Sequence, residues 1–322
     1  MKLARRQFLQ SAALAAALPA SAFAQAWPAR PVRLLCGFPG GSSQDIVARI
    51  VGQWLSERFG QPVVIDNRPG AGGNIAVEAV ANAPPDGYTL LMTGPNNAVN
   101  ATLYDNLKFN FIRDIAPVAR IMSVPLVMEV NLAVPATTVP EFIAYAKANP
   151  GRINMASAGN GTAVHISGEL FKMMTGVDMV HVPYRGTPAA MTDLFGGRVQ
   201  VIFDNMPGSI GYIRTGKLRP LAVTTAARSE LLPQVPPLAD FVPGYDASAW
   251  YGVGAPKGTP AEIIDKLNQA INAALADPAL QARLIDLGGT IQGGTPADLG
   301  RFVVQETEKW GKVVKFAGIK PE

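Results

Sequence analysis

Val32-Arg33-Leu34-Leu35-Cys36-Gly37-Phe38-Pro39-Gly40-Gly41-Ser42-Ser43-Gln44-Asp45 is the stretch on which the fold reading turns. A short apolar run ends at Cys36, and glycine and proline break it. Ile46, Val47, Ile50, Val51, Trp54 and Leu55 then recur at helical spacing. Ser42 followed three places on by Asp45 is the pattern of a capping box. The unit is therefore strand, glycine turn, helix, and Pro62 to Asp66 supplies the next strand. A dinucleotide-binding turn is excluded because the Gly37 to Ser42 segment lacks the required glycine spacing, and its proline would obstruct a pyrophosphate.

The same alternation continues outward. A second glycine turn over Asn67 to Gly73 precedes an Ile75 to Ala83 helix, and Tyr88 to Thr93 is a further strand. Leu126 to Val130 reads as a strand, and Thr138 with Glu141 caps a helix over Phe142 to Ala148. Ile153 to Ser157, Met179 to Val182 and Val199 to Phe203 are strands, the first two each followed by a turn and a helix start. Thr187 is placed to cap the helix that Pro188 opens, and Thr259-Pro260 and Thr295-Pro296 have the same form. Helices between short apolar strands require a mostly parallel sheet covered on both faces. The helical pattern lapses near Gly244 to Gly252 and again, more weakly, near Ile121 to Leu126. One domain inserted into another would cross there, giving 27–125, 126–248 and 249–322 as the expected divisions.

The first 26 residues read as an export leader. Lys2, Arg5 and Arg6 precede an apolar run from Ser11 to Ala20 and a small-x-small site at Ala22-Phe23-Ala24, and Arg5-Arg6-Gln7-Phe8-Leu9 has the twin-arginine form. Of 28 lysines and arginines against 24 acids, those three would leave with the leader, so the remaining chain is close to neutral. No basic stripe or basic-aromatic interleaving suggests nucleic acid. With one cysteine in 322 residues, an intrachain disulfide is excluded and stability must come from a buried core.

Three turns place small residues just before a helix: Gly40-Gly41-Ser42, Gly159-Asn160-Gly161-Thr162 and Arg185-Gly186-Thr187. Helix N-termini carry unpaired N–H groups and partial positive charge, so they hold anions without a cation. In parallel strands these turns would lie at the carboxyl ends, where open sheets bind ligands. Any one such turn is more often an ordinary helix start; three together favour a carboxylate site. Signatures of catalysis are poor. Cys36 ends an apolar strand and reads as a buried hydrophobe. His165 and His181 show no metal-ligand spacing, and no Gly-x-Ser-x-Gly elbow is present. His165 reads equally as a packing or cap residue and as a ligand contact. Arg185 reads as a solvated loop residue before a ligand clamp, and Asp204 either faces a cleft or turns the Asn205-Met206-Pro207-Gly208 segment.

The ordered blocks resemble those of a known family. Phe38-Pro39-Gly40-Gly41 with Asp45 and Ala48-Arg49, Asn67-Arg68-Pro69-Gly70-Ala71-Gly72-Gly73, Pro85-Asp86-Gly87-Tyr88-Thr89-Leu90, His181-Val182-Pro183-Tyr184-Arg185-Gly186 and the Gly216 to Thr224 run are similar to the tripartite tricarboxylate transporter substrate-binding proteins, or TctC-like receptors. The resemblance implies a type II periplasmic-binding-protein fold, with two α/β domains flanking a ligand cleft. It also implies that the loop of Phe38, Gly40, Gly41, Ser42 and Ser43 and the loop of Ser157, Gly159, Asn160, Gly161 and Thr162 grip one carboxylate; Asp45 and His165, just beyond these loops, are expected among the ligand contacts. Tyr184, Arg185, Gly186, Thr187 and Asp204 then shape the distal end. A departure falls at Ala76-Val77-Glu78, where the family usually has a glycine.

The expected protein is a periplasmic, monomeric receptor without enzymatic activity, metal or cofactor. It captures a small carboxylated solute and delivers it to integral-membrane permease subunits. A ligand-sensing receptor for a membrane sensor and an exported enzyme acting on a carboxylated substrate are the competing readings.

Overall fold

The computed structural model describes residues 27–104 and 106–320; the expected export leader lies outside them. β1 (Val32–Cys36) is the buried strand from which the first half of the molecule is built. It pairs in parallel with β2 (Val63–Asn67) on one side and β3 (Thr89–Thr93) on the other. The connecting α1 (Ser43–Phe59) buries Val47, Ile50, Val51 and Leu55 against the sheet. Full burial of each such side chain stabilises the fold by about 1.5–3 kcal/mol. Ser42 caps α1 as its position predicts, with its side chain accepting from the Asp45 amide, and Gly60 closes it in a left-handed turn. α2 (Asn74–Ala81) and α3 (Pro95–Leu103) complete this half.

The second half repeats the arrangement. β5 (Ile153–Ser157) lies between β6 (Met179–Pro183) and β7 (Val201–Asn205), all parallel. α6 (Ala163–Thr175), α7 (Thr187–Phe195) and α8 (Met206–Arg214) each begin just beyond one of these strands. Between α3 and β5 come α4 (Phe111–Asp114), β4 (Ile115–Val130) and α5 (Val139–Ala148). After α8 come β8 (Arg219–Val223), β9 (Ser248–Pro256), α9 (Ala261–Ala276), α10 (Pro278–Ile285), β10 (Thr290–Ile291) and α11 (Pro296–Ala317).

One strand joins the halves. β4 pairs antiparallel with β9 from Ile115↔Pro256 to Pro125↔Ser248, and then with β7 and β8 from Leu126 onward. The strand order along the connected sheet is β2-β1-β3-β9-β4-β7-β5-β6, with β8 and β10 also paired to β4. The lapse of helical pattern near Gly244 to Gly252 thus marks β9, and the weaker lapse near Ile121 to Leu126 marks the interior of β4.

Local expectations failed in identifiable ways. Gly186, with φ 113°, rather than Thr187, is the cap position of α7, because the Thr187 hydroxyl is committed to Asp204. Pro260 takes the cap position of α9, since the Thr259 hydroxyl donates to the Pro256 carbonyl. Met206 to Gly208 is the first turn of α8, not a separate loop, because proline near a helix start removes only an N–H that has no partner there.

Candidate functional site

Five helices of the described chain begin around one recess that contains about 420 Å³ of empty space. α1 contributes Ser42, Ser43 and Gln44; α3 contributes Pro95 and Asn96, with Gly94 before them. From the other half come Thr162, Ala163 and Val164 of α6, Thr187 of α7 and the α8 cap residue Asn205. Phe38, Ala158, Ala249 and Tyr251 close the walls. The two halves meet closely beside it. A Cβ built on Gly186 would lie 2.6 Å from the Pro39 ring, and one on Gly72 would lie 2.9 Å from the Asn160 carbonyl oxygen.

The glycine amides that the sequence pointed to are bonded within their own loops. Gly41 donates to Asp45 Oδ2 at 2.9 Å, Gly159 to Ser157 Oγ at 3.1 Å and Gly161 to His165 Nδ1 at 3.2 Å. These bonds fix the loops rather than face a ligand. Among the described residues, amides without a partner lie two or three places beyond Gly41 and Gly161, at Ser43 and Gln44 of α1 and at Ala163 and Val164 of α6, and another is that of Asn96 of α3. They are the first-turn donors that every helix leaves unpaired.

Hydroxyls and an amide oxygen add to these donors. Asn205 Oδ1 is buried without a hydrogen-bond partner, and the Ser43 and Tyr251 hydroxyls, on side chains only 2% and 3% exposed, face each other without forming a hydrogen bond of ordinary geometry. Among the described residues, no lysine or arginine lines the recess. An anion there would be held by neutral donors and helix dipoles, each dipole contributing about 0.3–1 kcal/mol and more where solvent is excluded.

Of the residues expected at the site, Phe38, Ser42, Ser43, Thr162 and Thr187 line the recess. Asp45, Ser157, Gly159, Gly161, His165 and Asp204 stand behind it as partners of the lining segments. Asp45 is buried and paired to Arg49; its burial is outweighed by that guanidinium and the Gly41 amide, which hold its carboxyl below the ordinary carboxylate value. Ser157 Oγ lies 2.6 Å from His181 Nε2, and the His181 ring stacks on His165 at 3.7 Å. Burial, with the neighbouring His165, pushes His181 down to about 3, so the ring is neutral at physiological pH.

The remaining expected residues are outside the lining. Gly40 and Gly41 are exposed, and Asn160 donates to the Lys320 carbonyl. Tyr184 donates to Asp193 Oδ2 at 2.7 Å, Gly186 backs onto Pro39, and Arg185 is exposed. Gln44, Asn96, Asn205 and Tyr251 were not read from the sequence. Gly94-Pro95 before α3 was an available signal, being a glycine cap with proline in the first turn. Tyr251 had none, since it arrives by the pairing of β9 with β3 and β4.

Nothing in the described residues groups three or more histidine, cysteine, aspartate or glutamate side chains into a metal-binding cluster. Cys36 is fully buried and burial pushes its thiol far up, so it does not supply a nucleophile.

Comparison with known proteins gives a consistent result. The model of the tripartite tricarboxylate transporter family receptor matches residues 47–319. Protein BugT of Bordetella pertussis is 37% identical over 316 residues, covering 97% of this chain and 96% of that protein. The structure of Rpa4515 of Rhodopseudomonas palustris with adipate superposes with a TM-score of 0.90 at 41% identity, covering 92% of this chain and all of the other. MatC (Rpa3494) of the same organism, with bound malate, gives 0.85 at 32% identity over 89% of this chain and all of the other.

Proposed function

Since the chain belongs to the tripartite tricarboxylate transporter receptor family, we propose that it captures a small organic carboxylate in the recess and presents it to membrane permease subunits. The family is one of solute-binding receptors, not enzymes. One observation carries the reading: the starts of five helices converge on a recess with unpartnered amides and no cationic side chain. Such a site favours a carboxylate head group over a neutral or cationic solute. Rpa4515 holds adipate and MatC holds malate, so short dicarboxylates are the first ligands to test.

In this reading, Ser43, Gln44, Ala163 and Val164 donate through their backbones, while Ser42, Thr162 and Thr187 set the positions of the loops and the wall. Phe38 bounds the recess. Gly40, Gly41, Asp45, Ser157, Gly159, Asn160, Gly161 and His165 hold the two gripping loops in shape, and Tyr184, Arg185, Gly186 and Asp204 shape the far side. The lobes comprise 27–125 with 249–322, and 126–248, a division supported by the change of β4 partners between Pro125 and Leu126. A ligand bridging both lobes favours the closed arrangement by its differential affinity for it. The protein acts in the periplasm as a monomer, without cofactor.

Titration calorimetry of the purified protein with adipate, malate and a panel of related mono- and dicarboxylates tests this reading. One-to-one saturable binding is expected. No heat from any carboxylate, with the protein folded, would overturn it.

A further inference from the structure

Behind the recess, two fully buried acidic side chains belong to one hydrogen-bonded chain. Asp204 lies at the end of β7 and Glu129 on the neighbouring β4, and both are 0% exposed. Ser209 Oγ of α8 stands between them, 2.6 Å from Glu129 Oε1 and 3.1 Å from Asp204 Oδ2. Asp204 Oδ1 is 3.1 Å from the hydroxyl of Thr187, which lines the recess. Glu129 Oε2 has no partner.

Counting protons constrains the charge of this chain. A serine hydroxyl carries one proton and can donate to only one carboxylate. With both acids ionised, the other contact would set two oxygen lone pairs at hydrogen-bond distance between two buried negative charges. One proton on the pair removes the conflict: the protonated carboxyl donates to Ser209 and Ser209 donates to its partner. Among the described residues, no lysine, arginine or histidine is ion-paired with either acid. The groups facing the pair from other elements are neutral: Thr187 on α7, Ser43 on α1 and the Tyr251 hydroxyl on β9. The charges of Asp45 and Arg49 on α1 cancel in their own ion pair. Burial pushes Asp204 up to about 7, and burial together with Asp204 pushes Glu129 well above its ordinary value.

The state of Asp204 reaches the recess through Thr187. An ionised Asp204 takes the Thr187 proton, leaving lone pairs and a negative charge behind the wall. With Glu129 donating its proton to Ser209 and Ser209 donating to Asp204 Oδ2, a second proton on Asp204 Oδ1 is donated to Thr187 Oγ1, which frees the threonine proton for the recess and removes the charge. Both changes favour an anion. We propose that Glu129, Ser209 and Asp204 hold a shared proton that sets the hydrogen-bond polarity of the recess wall, so that capture of a carboxylate draws one further proton from solvent onto the pair. The coupling rests on the carboxylate-receptor reading; the shared proton does not. In balance, one O–H bond forms on a carboxylate and nothing leaves.

Two measurements test it. Infrared spectroscopy of the ligand-free protein near neutral pH is expected to show the C=O band of a protonated carboxyl, diminished in Glu129→Gln and in Asp204→Asn. Absence of that band in the wild type would overturn the shared proton whatever the ligand. Calorimetry with adipate or malate in buffers of different ionisation enthalpy is expected to give buffer-dependent heats, with Kd rising up to about tenfold per pH unit on the alkaline side. Asp204→Asn should remove both dependences. Buffer-independent heats would overturn the coupling while leaving the receptor reading intact; no binding of either acid would overturn the coupling together with that reading.

Discussion

Pro39, in the loop after β1, and Gly186, in the loop after β6, are in direct contact across the two halves, so close that a Cβ on Gly186 would sit 2.6 Å from the Pro39 ring. Gly186 also holds φ 113° and ψ 160°, a backbone conformation open almost only to glycine. Gly186→Ala is therefore expected to lower stability by about 1–3 kcal/mol through backbone strain, and to weaken ligand binding through obstructed closure. Adding Pro39→Ala should restore affinity but not stability. Urea unfolding and calorimetry on the single and double variants separate the two effects; recovery of stability without recovery of affinity would contradict this account.

Thr162 joins two local bonds. Its hydroxyl accepts from the His165 amide at 3.3 Å and donates to the Gly159 carbonyl at 2.8 Å. Thr162→Ala should cost about 0.5–2 kcal/mol as a lost helix cap, and Thr162→Ser should cost much less. Denaturant titration of both variants provides the check.

His181 and Asp204 give stability opposite slopes with pH. His181 is held near 3 in the folded protein against an ordinary 6.5, so between these values only the unfolded chain binds the proton. Stability from this group is present above 6.5 and is lost as pH falls towards 3. Asp204 stands near 7 against an ordinary 3.8, so the folded chain retains a proton that the unfolded chain has released. Its effect is to lower stability as pH rises from 3.8 to 7. His181→Gln should flatten the acid limb of a stability profile and Asp204→Asn the rise towards alkaline destabilisation. Urea midpoints measured across that range decide both.

What the sequence disclosed follows from how local each feature is. β1 and α1 were legible because an apolar run, a glycine break and a Ser42 cap all lie within one short segment. α3 was not, since Asn96, Asn97 and Asn100 are buried polar residues of low helix propensity and leave no amphipathic stripe. The loops around Gly41 and Gly161 were singled out in the sequence, and the unpaired amides beside them are two or three residues further on. Asp45 and His165, each four residues after its glycine, accept those glycine amides. That spacing was visible in the sequence and could have been read as a loop lock. The contributions of Tyr251 and of the Glu129–Asp204 pair depend on strand pairings between distant segments, which no local pattern encodes.

Convergence of first-turn amides on a carboxylate is the central claim, and a crystal structure of the protein grown with adipate tests it most directly. The account predicts one carboxylate group within hydrogen-bond distance of the Ser43 and Val164 amides, enclosed by both halves of the molecule. Adipate bound at Arg185 or another exposed cation, with the recess holding only solvent, would contradict it.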